Sequence, residues 1–279
     1  MQPFPFAGFA FVFAFVFGLG ASNAVQADCK PEKSESVEVS VIAPDGVLTL
    51  ADGRALRLAA LEPPIDMQAL AGWTNVITKI RPARVTLHLG DKPEDRYGQL
   101  QGLLARADGQ LVEALLLRDG LARVSPRADM RFCLAGLLQI EDEARKAHRG
   151  LWAEVANLPL QATDIAGLEA REGQFALVEG VVTDAVNRKG RLFLNFGSDW
   201  RTDFTVTVAA ADARLFRDAR IKVKKGTNPA MKGERVRVRG YIERYNGPDM
   251  VLTTPEQLEF LKPAEKAGRM HDVGKLGAK

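Results

Sequence analysis

Asp52-Gly53-Arg54-Ala55-Leu56-Arg57-Leu58-Ala59 is the stretch from which the first half of this chain can be ordered. Asp-Gly is a tight-turn pair, and residues 56–61 read as the strand that leaves the turn. Upstream, residues 37–41 alternate apolar and polar side chains, Pro44-Asp45-Gly46 turns the chain, and residues 47–50 give a second strand. Downstream, Pro63-Pro64 stops the third strand, and apolar residues at helical spacing run over 67–80 and end before Pro82. Residues 84–89 and 99–106 read as strands on either side of a polar loop, 91–97. A helix over 111–118 stops at Gly120, and a longer one over about 133–148 stops at Gly150. Three strands, a helix, two strands and two helices is the order of a five-stranded barrel of the oligonucleotide/oligosaccharide-binding type with appended helices.

The second half repeats the strand count. Residues 175–183, 191–196, 204–208, 235–241 and 250–253 read as five short strands, with a helix-capable stretch at 210–219 between the third and fourth. The predicted fold class is therefore mainly β with α, built as two five-stranded barrels of this type. The predicted layout is a leader at 1–27, a first domain at 37–155, a second at 172–262 and a flexible charged tail at 263–279. Residues 158–163 form the connection.

The 279 residues leave room for two domains, and an apolar fraction of 46% with 26% charged side chains places the chain outside the disordered class. A formal net charge of +3 is too mild to demand a polyanionic partner unless the basic residues cluster. Residues 1–27 carry no charged side chain, and 4–19 are nearly all Phe, Val, Ala and Gly. We read a signal peptide cleaved after Ala27, so a periplasmic or secreted protein; the other reading, an uncleaved anchor, would add a membrane contact. Cys29 and Cys133 are the two cysteines. An oxidising compartment favours a bridge between them, closing a loop of about 100 residues that the chain-entropy model values at about 4–5 kcal/mol.

Four stretches in order carry a family resemblance: residues 52–59 quoted above, Asp95-Arg96-Tyr97-Gly98, residues 115–124, and residues 141–152 ending Ala144-Arg145-Lys146-Ala147-His148-Arg149-Gly150-Leu151-Trp152. Over about residues 37–153 the chain resembles the staphylococcal nuclease (thermonuclease) family. Its continuation into Phe193-Leu194-Asn195-Phe196-Gly197 and Trp200-Arg201-Thr202-Asp203-Phe204 resembles an architecture of secreted bacterial members. The resemblance implies phosphodiester cleavage with one calcium ion. Two acidic ligands would hold the metal, a glutamate would activate water, and two arginines would clamp the phosphate.

Position by position, most of that machinery is replaced. The family's Asp-Gly-Asp-Thr turn reads Asp45-Gly46-Val47-Leu48, one residue short, so a metal-binding aspartate falls on Val47 or Gly46. Asp45 is adjacent, but a one-residue slip along a strand aims a side chain at the opposite face. The first arginine is Arg57, and the second acidic ligand corresponds to Glu62. The water-activating glutamate is Ile65, with Asp66 beside it, and the second arginine is Gln99. Losing a general base typically costs about 10² to 10⁴ in rate, and losing a transition-state donor about 10² to 10³. The remnants are thus Arg57 and Glu62 as catalytic residues and Asp45 and Glu62 as metal ligands, with Ca²⁺ expected only if the site has been rebuilt around them. Whether the chain is an enzyme stays open on sequence.

His88, His148 and His271 stand far apart, without metal-ligand spacing. In the second domain Phe193, Phe196, Trp200, Arg201 and Phe204 lie around the second and third strands, and basic residues including Arg220, Lys222, Lys224 and Lys225 lead into Arg235-Val236-Arg237-Val238-Arg239. Strand alternation puts those last three arginines on one face. Trp200, Arg201, Arg235, Arg237 and Arg239 are therefore candidates for binding nucleic acid. The predicted function is a nuclease-fold binding module for nucleic acid, another polyanion or an envelope partner; the alternative is an active calcium-dependent phosphodiesterase with a rebuilt site.

Overall fold

Local alternation is what closes the first half into a barrel. The computed structural model describes residues 29, 31, 33–43, 45–64, 67–79, 84–216, 221, 226–227 and 230–261. The leader (1–27), the tail (263–279), Ile65, Asp66, Arg220, Lys222, Lys224 and Lys225 lie outside the described residues. Strands β1 (Lys33–Ile42), β2 (Leu48–Leu50) and β3 (Ala55–Leu58) form the meander; β4 (Leu61–Glu62) follows, then α1 (Met67–Thr78), β5 (Arg84–Glu94) and β6 (Leu100–Ala105). The order β1-β2-β3-β6-β5 closes on itself, with β3 and β6 parallel and β5 returning antiparallel to β1. Val37, Val39, Leu48, Leu50, Leu56, Val85, Leu87 and Leu104 fill the interior, as the period-2 pattern requires. Gly102 is demanded by close approach: a Cβ there would stand 2.5 Å from Leu87 Cδ1 and 2.8 Å from the His88 carbonyl.

Helices α2 (Val112–Arg118) and α3 (Arg131–Lys146) cover the barrel, with β7 (Arg123–Val124) between them pairing with β4. In α3 the buried positions 133, 134, 137, 140, 141, 144 and 145 follow the helical period. The disulfide Cys29–Cys133 is present, with Cα atoms 4.7 Å apart, and ties the segment before β1 to α3. Gly120 and Gly150 have φ of +67° and +52°, and Leu151 donates to the Gly120 carbonyl at 2.8 Å. That contact brings Leu151-Trp152 under the second domain, where Trp152 packs with Ala144, Phe175 and Leu177.

Glu113 on α2 is wholly buried, and its carboxyl accepts the Leu104 N–H at 3.2 and 3.3 Å. Burial pushes its pKa up from 4.5 to about 8, against the opposing pull of backbone hydrogen bonds. Between those values the folded protein keeps a proton that the unfolded chain has released. This group's contribution to stability therefore falls as pH rises, by up to about 1.4 kcal/mol per pH unit. Glu113→Gln is expected to remove that slope. Urea unfolding at about pH 5.5 and about pH 7.5 should show the variant gaining on the wild type at the higher pH.

The second domain comprises β8 (Leu160–Gln161), α4 (Ile165–Glu169), β9 (Phe175–Val181), β10 (Asp184–Arg188), β11 (Arg191–Asn195), β12 (Thr205–Val208), β13 (Gly226–Thr227), β14 (Arg235–Tyr241), β15 (Glu243–Tyr245), β16 (Gly247–Leu252) and β17 (Leu258–Phe260). Its strands fall into a six-stranded sheet, β13-β10-β11-β12-β16-β15, and a four-stranded sheet, β17-β14-β9-β8. As in the first barrel, the third main strand runs parallel to the last (β12 with β16), and the first runs antiparallel to the fourth (β9 with β14). The expected closure differs: among the described residues no ladder joins β14 to β16, so two sheets share a core led by Leu192, Leu194, Phe204, Phe216 and Val238. The helix expected at 210–219 is replaced, over its described part 210–216, by a run of turns.

Candidate functional site

The rim of the first barrel gathers Asp45, Arg57, Asp95 and Gln99. Asp45 sits in the turn before β2, where its Oδ1 accepts the Val47 N–H at 3.2 Å and Gly46 takes φ +81°. Arg57 lies on β3, beside β6 in parallel register, and this places Gln99 in reach: Arg57 Nε donates to Gln99 Oε1 at 2.8 Å. Arg57 Nη2 meets Asp45 Oδ2 at 3.4 Å. Asp95 accepts the Gln99 and Tyr97 N–H groups at 3.0 and 2.8 Å. These bonds, with the nearby Arg57 charge as a smaller cause, hold its carboxyl below the usual range.

Glu62 stands elsewhere. On β4 it pairs with Arg123 of β7, and both its oxygens accept the Tyr241 hydroxyl of the second domain at 2.9 Å. Burial raises the Glu62 pKa, opposed by the Tyr241 bond and the Arg123 charge. Tyr241 is pushed up to about 12 by burial and by the carboxylate it faces. Asp45, Arg57 and Gln99 are thus joined to one another, while the carboxylate of Glu62 is engaged by Tyr241. Nothing local in the sequence marks Tyr241 as its partner, 179 residues away.

Residues 73–154 match the family described as staphylococcal nuclease homologue. Over 104 residues the chain is 29% identical to two proteins named "Uncharacterized endonuclease", one from Escherichia coli O157:H7 and one from Escherichia coli. Each match spans 37% of this chain and 66% of the relative, just under two thirds of its length. The first domain is staphylococcal-nuclease-like.

Among the described residues of this nuclease-like domain the donors for a divalent cation do not converge. A hard cation such as Ca²⁺ takes 6–8 oxygen ligands, several of them carboxylate. Among the described residues no three His, Cys, Asp or Glu side chains come together as a metal site. Asp45 is engaged by Arg57, Glu62 by Tyr241, and Asp95 by backbone amides. The described residues do not fit the ion that the family resemblance implied.

The five candidate nucleic-acid residues do not form one groove either. Arg235, Arg237 and Arg239 share a face of β14, as alternation required; Arg237 and Arg239 are covered there, and Arg235, 39% exposed, is held by an ion pair. Arg235 Nη2 and Arg237 Nη2 bind Glu179 at 3.0 and 2.6 Å, and Arg237 Nη1 reaches Glu259 at 3.3 Å. Arg239 is 0% exposed; its Nη1 donates to Glu141 Oε2 of the nuclease-like domain at 2.7 Å and to the Val124 carbonyl at 3.2 Å, and its Nη2 bonds Glu259. A guanidinium so enclosed cannot touch phosphate. Trp200 and Arg201 lie away from these, in the turn between β11 and β12, with Arg201 stacked 4.6 Å over the indole.

Proposed function

We propose that this chain is exported to the periplasm or secreted, and that its nuclease-like domain binds nucleic acid or a similar polyanion without cutting it. The observation that carries the reading is the division of the old cleft: Arg57 stays at the rim, held by Gln99 and Asp45, while Glu62 is occupied by Tyr241. Arg57 is 42% exposed, accessible enough to meet a phosphate. Beside the same rim Tyr97 is 78% exposed, with the Arg96 guanidinium 4.7 Å above its ring. An exposed aromatic with flanking cations is the stacking-and-charge pattern suited to single strands. The disulfide supports export, since such bridges persist in oxidising compartments. A calcium-dependent phosphodiesterase is the rival reading, favoured by the endonuclease name of the relatives.

Fluorescence anisotropy with a labelled single-stranded DNA tests the binding. Affinity is expected to fall as salt rises, and Arg57→Ala to weaken it by about three- to tenfold, the scale of one phosphate contact. Salt-independent binding, or no binding at low salt, would move the domain's role to protein contact, with an envelope partner as the occupant.

A further inference from the structure

The outer face of the six-stranded sheet, on the side away from the core, carries a cleft of ≈ 250 Å³ that the nuclease-like domain does not touch. We propose that this cleft is a second binding site, one that takes a neutral saccharide ring. Its floor is apolar: Val186 and Phe193 are direct cross-strand partners on β10 and β11. Two aromatic walls flank it, Trp200 in the turn between β11 and β12 and Tyr245 at the end of β15, 49% and 69% exposed. The floor and walls offer faces on which the C–H side of a pyranose can pack, just as aromatic platforms take other flat partners.

The polar groups are of the kind that grip hydroxyls. Carboxylates of Asp184 and Asp249 line the cleft, together with the Asn195 amide and the Thr205 hydroxyl. The Asn195 side chain makes no hydrogen bond to another described residue. Asp249 is 5% exposed and fixed by the Thr207 hydroxyl at 2.9 Å. Burial pushes its pKa up to about 6, so it is largely ionised at neutral pH.

Charge decides among ligand classes. Two carboxylates in the cleft, with Glu243 facing Asp249 across β15 and β16, repel a phosphodiester. Arg188 in the same lining, Arg201 over the Trp200 ring and the Arg191 charge acting on Asp249 oppose a cation. Near-balanced charge, a mostly apolar lining and several fixed acceptors suit an uncharged polyol. The volume lies below the ~300–1,000 Å³ of pockets for drug-sized ligands, on the scale of a single ring.

The turn that presents Trp200 is built rather than loose. Asp199 N–H donates to Asp203 Oδ2 at 2.7 Å, Arg201 N–H to Asp199 Oδ1 at 3.0 Å, and Asp203 N–H to the Asp199 carbonyl at 2.9 Å. Gly247 lets β16 press on this turn, for a Cβ there would stand 2.5 Å from the Thr202 carbonyl. Both walls are thus set against each other before any ligand arrives, which lowers the ordering cost of binding.

This inference stands apart from the reading of the nuclease-like domain, and its test keeps the two apart. Trp73 and Trp152 are buried, so Trp200 dominates quenching of indole fluorescence by solutes. Full-length mature protein should be titrated with cellotetraose, chitotetraose and maltotetraose, reading Trp quenching and calorimetry. At least one is expected to bind with Kd of roughly 1 mM or tighter, insensitive to salt. Trp200→Ala and Tyr245→Ala, both at exposed positions, should each weaken it about tenfold, the scale of one lost stacking contact. They should leave the thermal midpoint and the DNA affinity of the nuclease-like domain unchanged. Failure of all three sugars to bind, or binding that ignores Trp200→Ala, would overturn the proposal. Salt-dependent single-stranded DNA binding that Trp200→Ala abolishes would also overturn it, by giving the cleft to nucleic acid.

Discussion

Arg239→Met is expected to lower the unfolding free energy by about 3–5 kcal/mol, the cost of leaving a buried charge without its partner. Both Arg239 and Glu141 are 0% exposed. Glu141 also accepts the Val124 N–H at 2.7 Å and keeps the Arg145 guanidinium at 3.5 Å, a longer contact than the 2.7 Å bond from Arg239 that is lost. The same change removes a donor from the Val124 carbonyl and from Glu259 Oε1, leaving Glu259 Oε2 on Arg237. Because Arg239 comes from the second domain and Glu141 from α3, the loss should reach both domains. Adding Glu141→Gln to Arg239→Met should restore about half of it, since the amide leaves no stranded charge. Urea unfolding of the three variants against wild type measures both. A loss under about 1 kcal/mol would mean that the pair is solvated and the domains are not locked by it.

Removing the disulfide ranks alongside. Cys29→Ser with Cys133→Ser is expected to cost about 4–5 kcal/mol by chain entropy. The bridged residues are 104 apart in sequence, and each doubling of loop length adds only about 0.6 kcal/mol. The 4.7 Å Cα separation is within the native range, so the bond sits where the backbone already allows it. Unfolding of oxidised wild type, reduced wild type and the double serine variant should place the last two together. Equal midpoints for all three would show that β1 and α3 hold the start of the domain unaided.

Much of the first barrel was legible because its signals are local. Asp52-Gly53 gives a turn by its own chemistry, Val37 and Val39 alternate, and α3 repeats its apolar positions every three to four residues. Arg57 and Gln99 could be placed on the sequence, but their contact needed the parallel β3–β6 register. Glu141 opened the last of the four stretches that carry the resemblance; only the arrival of Arg239 explains a carboxylate on the buried stripe. Alternation correctly put Arg235, Arg237 and Arg239 on one face and could not say that Glu179, Glu259 and Glu141 would cover it. Tyr241 carried no signal at all, since an isolated tyrosine at a strand end is compatible with solvent, core or a partner. The cleft beside Trp200 was half visible: the aromatics were noted, but the acids that exclude phosphate come from β10 and β16, 65 positions apart at Asp184 and Asp249.

The proposed function leaves the nuclease-like domain without a working calcium centre, and calcium titration of the purified protein with a fluorogenic DNA tests that. Arg57 then has no metal-bound phosphate to clamp, so no calcium-dependent turnover is expected and Arg57→Ala should leave the background rate unchanged. Calcium-dependent cleavage that Arg57→Ala abolishes would contradict the claim.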